Sequence, residues 1–360
     1  MDIGGLSFIG LSFATATSLT NVVTDVARKK ALAGQDLIAA TFGFRLFAAI
    51  AYTAVFGFRL LSGHEVTIKE TGPVFGIEAL SFSPLGTFLI YWAIDISLVA
   101  VANLLYFRAL QVSPLSVCLP FIAFTPIFLI PTGYVMLREL PSTVKLIGVV
   151  LVVVGSLVMH RQLFAVSWAE PFKAIIRERG SRYMLMVAFI FSITNPLDAQ
   201  LVRMSDAITH SFAFGLGLTL IFGVMALARR AEWSRMMHAV PLWVVLAGLL
   251  ESIVNMLQFA SHNYIAVVIT ISLKRAGIVL AVLMGWLIFK ERDITDKLIA
   301  ATVMVSGALM FYLPMSMAQA VTVTVAVLIG MSIALYVTRH QTPSSAETVA
   351  VKPVSTEQEG

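Results

Sequence analysis

Eleven runs of about twenty mostly apolar residues follow one another along this chain, at roughly 4–24, 38–58, 87–107, 114–137, 143–160, 183–202, 210–228, 240–260, 264–289, 295–313 and 319–338. At 1.5 Å rise per residue, a helix of about 20 residues crosses a hydrocarbon core of about 30 Å. Lipid offers no partner for backbone amides and carbonyls, so each run must satisfy its own as a helix. Only 12% of the 360 residues are charged and 58% are hydrophobic. That is about half the charged fraction of a soluble domain, too little polar surface to coat a water-soluble particle. The chain is expected to be an all-α integral membrane protein. Its one cysteine, Cys118, falls in an apolar run and excludes a disulfide framework.

Connections between the runs are short, and the longest, about 59–86 and 161–182, are too small for a further soluble domain. The polar segment 339–360 is expected to be a disordered tail. No basic residue precedes the first run, as expected of a retained span and not of a cleaved signal peptide. Connections 1–2, 3–4, 5–6, 7–8 and 9–10 carry fifteen Lys and Arg, among them Arg28, Lys30, Arg108 and Arg229, against five on the other side. The positive-inside rule then places the N-terminus outside and, after eleven spans, the C-terminus inside. This unevenness accounts for the basic balance, so nucleic acid is not an expected partner.

The chain repeats itself. At an offset of 152 residues, Asn103 matches Asn255, Phe107 matches Phe259 and Gly133 matches Gly285. The register continues without a gap through Glu139/Glu291, Thr143/Thr295, Lys145/Lys297 and Gly155/Gly307. At an offset of 174, Ser18-Leu19-Thr20-Asn21 matches Ser192-Ile193-Thr194-Asn195. Chance aligns leucines in apolar segments far more readily than Asn, Glu, Lys and Gly together. Spans 1–5 are therefore read as duplicated in spans 6–10. Five is odd, so the second copy enters the bilayer from the opposite face, as in transporters built from inverted repeats. The expected organisation is a first five-helix repeat (1–160), a cytoplasmic connector (161–182), a second repeat (183–316), an extra transmembrane helix (317–338) and the tail (339–360).

Each half ends in one pattern: Gly133…Arg138-Glu139…Thr143…Lys145-Leu146-Ile147…Gly155, and Gly285…Lys290-Glu291…Thr295…Lys297-Leu298-Ile299…Gly307. This pattern resembles the drug/metabolite transporter superfamily, in its ten-helix branch with two EamA-type repeats. The resemblance covers about residues 4–313 and implies a transporter fold without specifying the solute. The eleventh span departs from the ten that such relatives have.

Charged and amide side chains inside apolar spans are costly and therefore mark a wet cavity or a partner. Lys274 and Arg275 lie near the middle of span 9, where one cation can meet an anionic solute or pair with Glu251 or Asp95. A Lys-Arg pair in this helix is similar to that of triose-phosphate translocator relatives, which suggests an anionic substrate. Glu251 lies four residues before Asn255 on one helix face, and either accepts a coupling proton or neutralises Lys274. Asp95 is central in span 3 and shares a face with Asn103. The paired amides Asn21/Asn195 and Asn103/Asn255 suit reversible solute binding at the repeat interface, and equally suit interhelical hydrogen bonding. Asp198 is expected near the aqueous boundary. Arg45 is expected to snorkel to the headgroups as an anchor. Pro120, Pro126 and Pro131 are expected to bend span 4. Glu139 and Glu291 are expected to organise the turns after spans 4 and 9.

The six histidines form no metal-ligand spacing, and there is no phosphate-cradling Gly-rich loop and no nucleophile constellation. Neither an enzyme nor a bound cofactor is expected. The expected function is secondary active transport of a small polar metabolite, with a coupling proton as a possible second partner. The alternative is a flippase for a lipid-linked headgroup in the same fold. The compact loops favour a bacterial inner membrane.

Overall fold

Helices fill the computed structural model, which describes residues 3–32, 35–70, 74–112, 119–158, 179–229, 241–277 and 294–341. In chain order they are α1 (Ile3–Leu32), α2 (Leu37–Leu61), α3 (Pro84–Val112), α4 (Thr125–Leu137), α5 (Thr143–Val158), α6 (Arg179–Met204), α7 (Ala207–Ala228), α8 (Pro241–Ser261), α9 (Val267–Ala276), α10 (Ile294–Tyr312) and α11 (Met317–Gln341). No strand occurs among the described residues. Most of the expected connector, the second half of span 9 with Gly285, Lys290 and Glu291, and all but the start of the tail lie outside the described residues.

Six of these helices, α2, α3, α6, α7, α8 and α11, are long and apolar enough to cross a membrane. Burial departs from that of a soluble protein, since many polar and charged side chains are buried beside an apolar core. Arg45, Asp95, Asn103, Asn195, Asp198, His210 and Glu251 are buried, whereas Val321, Val325, Ile329 and Ile333 stand exposed in a four-residue stripe along α11. Buried charges and amides within an apolar bundle, with apolar side chains left exposed, are the make-up of an all-helical, multi-pass membrane protein.

α1, as long as any helix here, carries seven Ser and Thr. Those of Ser12, Thr15, Thr17, Thr20 and Thr24 each donate to the carbonyl four residues back, at 2.8–2.9 Å. Such hydroxyls are satisfied within their own helix, and that of Thr15 also meets the Tyr312 hydroxyl. Of the three prolines expected to bend span 4, Pro120 lies in a 3₁₀ segment and the other two in the helix after it. A 3₁₀ segment, Leu119–Phe124, leads into a short α4 that starts with Pro126 in its first turn and carries Pro131 inside. α4 ends at Arg138, in the left-handed region (φ 57°), where its amide donates to the Tyr134 carbonyl at 3.0 Å.

Packing is by facing pairs: α1 lies on α8, α3 on α6, α2 on α7 and α5 on α10. The last pair touches through backbone. A Cβ on Gly307 would stand 2.6 Å from the Gly148 carbonyl oxygen, and one on Gly148 would stand 2.7 Å from that of Gly307. Small residues at such crossings let helices gain dispersion contacts that lipid would otherwise supply. α11 packs on α10 and α5 at the periphery.

One end of the bundle is tied by ion pairs. Glu139, after α4, pairs with Arg203 at the end of α6, and its second oxygen accepts from the Val267 amide at the start of α9 at 3.1 Å. Arg59, in the last turn of α2, pairs with Asp206, which caps α7 through the amides of Ile208 (2.9 Å) and Thr209 (3.1 Å). Glu139 thus does more than shape its own turn: it joins three elements.

Candidate functional site

A cavity of about 130 Å³ lies between α1, α2, α3, α6, α7, α8, α9 and the 3₁₀ segment before α4. Helical spacing explains who lines it. On α1, Asn21, Asp25 and Arg28 recur at four and three residues. On α8, Glu251, Asn255 and Gln258 do the same. α3 adds Asn103, α6 adds Asn195 and Asp198, and α9 adds Lys274 and Arg275.

The polar wall holds three hydrogen-bonded groups. Asn21 donates to Asp25 at 2.9 Å, Arg28 donates to Asp25 at 3.2 Å, and a second Arg28 nitrogen pairs with Glu251 at 3.0 Å. The other Glu251 oxygen pairs with Arg45 of α2. Asn255 donates to the Tyr52 hydroxyl at 3.1 Å. Gln258 is a bridge: its amide nitrogen donates to Asn195 Oδ1 at 3.1 Å, and its oxygen accepts from Lys274 Nζ at 2.9 Å.

The charges are unequally answered. Glu251 sits between two guanidiniums, and Asp25 offsets that of Arg28. Among the described residues Lys274 makes no ion pair; its partner is the neutral Gln258. The Arg275 Nε and the Asn103 amide nitrogen have no hydrogen-bond partner among the described residues. Two cations and an unspent donor therefore face a polar hole, which suits an anion carrying further hydrogen-bonding groups.

Seven of the eight positions expected at the site, Asn21, Asn103, Asn195, Asn255, Glu251, Lys274 and Arg275, line this one cavity. Asp95 does not; it is buried against Asp198 and His210 behind the wall. Glu251 takes Arg28 and Arg45 as its ion-pair partners in place of Lys274. Arg45 does not snorkel: it is 6% exposed and turned inward, because the carboxylate on α8 lies within reach. Asp198, expected at the aqueous boundary, is 5% exposed, since α6 runs on to Met204 beyond it.

Sequence reasoning missed Arg28, Asp25 and Gln258. Arg28 was counted with the loop, yet α1 extends to Leu32 and carries it one turn inside. The signal for Gln258 was its place on the face of Glu251 and Asn255.

The chain matches no family model, and no curated protein matches it. Twenty-eight chains of solved structures do match. One of them, a crystal structure described only as that of a protein, superposes with a TM-score of 0.61 over 85% of this chain and 96% of its own length, at 16% sequence identity. At that identity the likeness concerns the fold, which this chain therefore shares with a solved structure along nearly the whole of both.

Proposed function

We propose that this chain is a secondary active transporter of a small, anionic, polar metabolite, working by alternating access between two inverted five-helix halves of the EamA type. The observation that carries the proposal is the cavity itself: set among the helices of the bundle, lined by polar side chains, and with Lys274 and Arg275 in no ion pair among the described residues. A structural core would have neutralised or removed those charges, since an unanswered buried charge costs several kcal/mol.

The helix pairing supports the duplicated architecture. Exchanging each helix of one half for its counterpart five places on turns the α1–α8 contact into the α6–α3 contact, and returns α2–α7 and α5–α10 to themselves. The residues that match in sequence, Asn103 with Asn255 and Asn21 with Asn195, meet at one cavity. The Glu139–Arg203–Val267 and Arg59–Asp206 ties close one end of the bundle, as a carrier must when its site faces the other side. A flippase would need a lipid-facing entrance. The apolar depression lined by Phe128, Leu185, Met186, Phe189 and Ile190 shares no residue with the polar cavity, which favours a water-soluble solute.

The test is solute binding and flux by the purified protein. A screen of phosphorylated and carboxylated metabolites should raise its melting temperature, by about 2.7 kcal/mol of stabilisation at a hundredfold excess over Kd. Lys274→Gln should weaken binding of the best anion roughly 10–100-fold, the worth of one charge-assisted hydrogen bond. It should also abolish uptake into proteoliposomes. Unchanged affinity and flux in that variant would remove the anion site from Lys274.

A further inference from the structure

Three side chains that anion binding does not use converge at the cavity wall. Asp95 of α3, Asp198 of α6 and His210 of α7 each bring a donor atom to within 4.8 Å of the others. All are buried: 0% of Asp95, 5% of Asp198 and 0% of His210 is exposed. His210 Nε2 lies 2.9 Å from Asp198 Oδ1. Neither oxygen of Asp95 has a hydrogen-bond partner among the described residues, and neither has His210 Nδ1.

An acceptor facing only another acceptor in a dry interior is incomplete. Two adjacent carboxylates there cannot both stay ionised, because mutual repulsion adds to the cost of burial. One proton between them resolves both problems. It turns a repulsive contact into an O–H···O bond and supplies the donor that Asp95 lacks. His210 fits that scheme without moving, since its Nε2–H donates to Asp198 and holds the carboxyl toward Asp95. A metal ion would have to break this imidazole–carboxylate bond. We propose that Asp95 and Asp198, oriented by His210, form a proton-binding site in the wall of the cavity, holding one proton that exchanges with water during each transport cycle.

The surrounding charges give the site its link to the solute. Lys274 of α9 acts on Asp198, and Asp206 at the head of α7 acts on His210. His262, just beyond α8, feels His210, Arg203 and Lys274. Asp198 lines the same cavity as Lys274. While Lys274 is bare, its charge favours an ionised Asp198. An anion bound at Lys274 removes that support, so the carboxyl pair holds its proton more tightly while the anion is bound. The O–H bond forms with a proton from one aqueous side and breaks to the other, with no further reactant, and the two solutes move together. Glu251, held by two guanidiniums, is the poorer coupling acid. This coupling rests on the transport proposal, whereas the proton site does not.

Infrared difference spectroscopy on the purified full-length protein, between alkaline and acidic pH, reads the site without any solute. The carbonyl stretch of a buried, protonated carboxylic acid should appear and titrate in the wild type and in Glu251→Gln. It should be absent from Asp95→Asn and Asp198→Asn. His210→Phe keeps both carboxyls and removes the donor to the charged form, so its band should titrate about one pH unit higher, a tenfold tighter hold on the proton. This variant decides the matter if the Asn variants do not fold. A wild type without such a band, a band that survives both Asn variants, or an unmoved midpoint in His210→Phe would each overturn the proposal. So would loss of the band on adding Na⁺ or Zn²⁺ at constant pH, which would make this a metal site. A titrating band in a protein that moves no solute would leave the proton site standing and the transport proposal refuted.

Discussion

Replacing Glu251 with Leu should be among the most damaging single changes available in this protein, and replacing Arg45 along with it should repair much of the harm. The carboxylate side chain is 3% exposed and answers Arg28, at 20%, and Arg45, at 7%. Without it Arg28 keeps Asp25 and some water, whereas Arg45 keeps neither. Stranding one buried charge costs about 3–5 kcal/mol. At about 2 °C per kcal/mol this lowers the melting temperature by roughly 6–10 °C. In Arg45→Met/Glu251→Leu no stranded cation remains, since Arg28 and Asp25 still pair. The double variant should therefore be more stable than Glu251→Leu alone by about 2 kcal/mol or more. Thermal unfolding in one detergent, read as a double-mutant cycle, supplies the coupling energy. Additivity to within about 0.5 kcal/mol would refute the reasoning and return Arg45 to the membrane surface.

At the α5–α10 crossing, Gly307→Leu has no room for its side chain against the Gly148 carbonyl and should destabilise by about 1–3 kcal/mol, measured as lost melting temperature. At Asp206, partial burial pushes the carboxyl up, but the Thr209 hydroxyl and amide and the Arg59 guanidinium outweigh it and hold the group below the usual carboxylate range. A depressed carboxyl stabilises the fold fully above its unfolded value of about 3.9, and that contribution is lost as pH falls through the lower folded value. Melting temperature should therefore drop on acidification below about pH 4 in the wild type. Asp206→Ala should start lower at neutral pH, by about 0.5–2 kcal/mol for the lost helix cap, and should show a smaller acid-induced drop.

Much of the site was legible because lipid leaves polar side chains so few excuses. Asn21, Asn103, Asn195, Asn255, Glu251, Lys274 and Arg275 each stood out within an apolar span, and each reaches the same cavity. What stayed hidden was pairing across helices. Glu251 could be assigned to Lys274 as easily as to Arg45, because only the crossing of α8 with α1 and α2 decides which cation it meets. Arg28 was hidden differently. Basic residues at the end of a span ordinarily mark the cytoplasmic headgroups, and nothing local distinguishes one that turns inward. Asp198 and His210 lie twelve residues apart on successive helices, and their contact depends on the short link between α6 and α7. For the fold, the apolar runs located helices well, but they could not show that span 4 is a 3₁₀ segment over Leu119–Phe124 or that Glu139 reaches the start of α9.

The central claim is that two copies of one five-helix unit enter the membrane in opposite senses, which can be measured at two matching turns. With Cys118 replaced by Ser, single cysteines placed at Thr143 and Thr295, in the first turns of α5 and α10, can be labelled by a membrane-impermeant maleimide in sealed vesicles of known orientation. The account predicts labelling of Thr143→Cys from one compartment and of Thr295→Cys from the other. Labelling of both from the same compartment would contradict it.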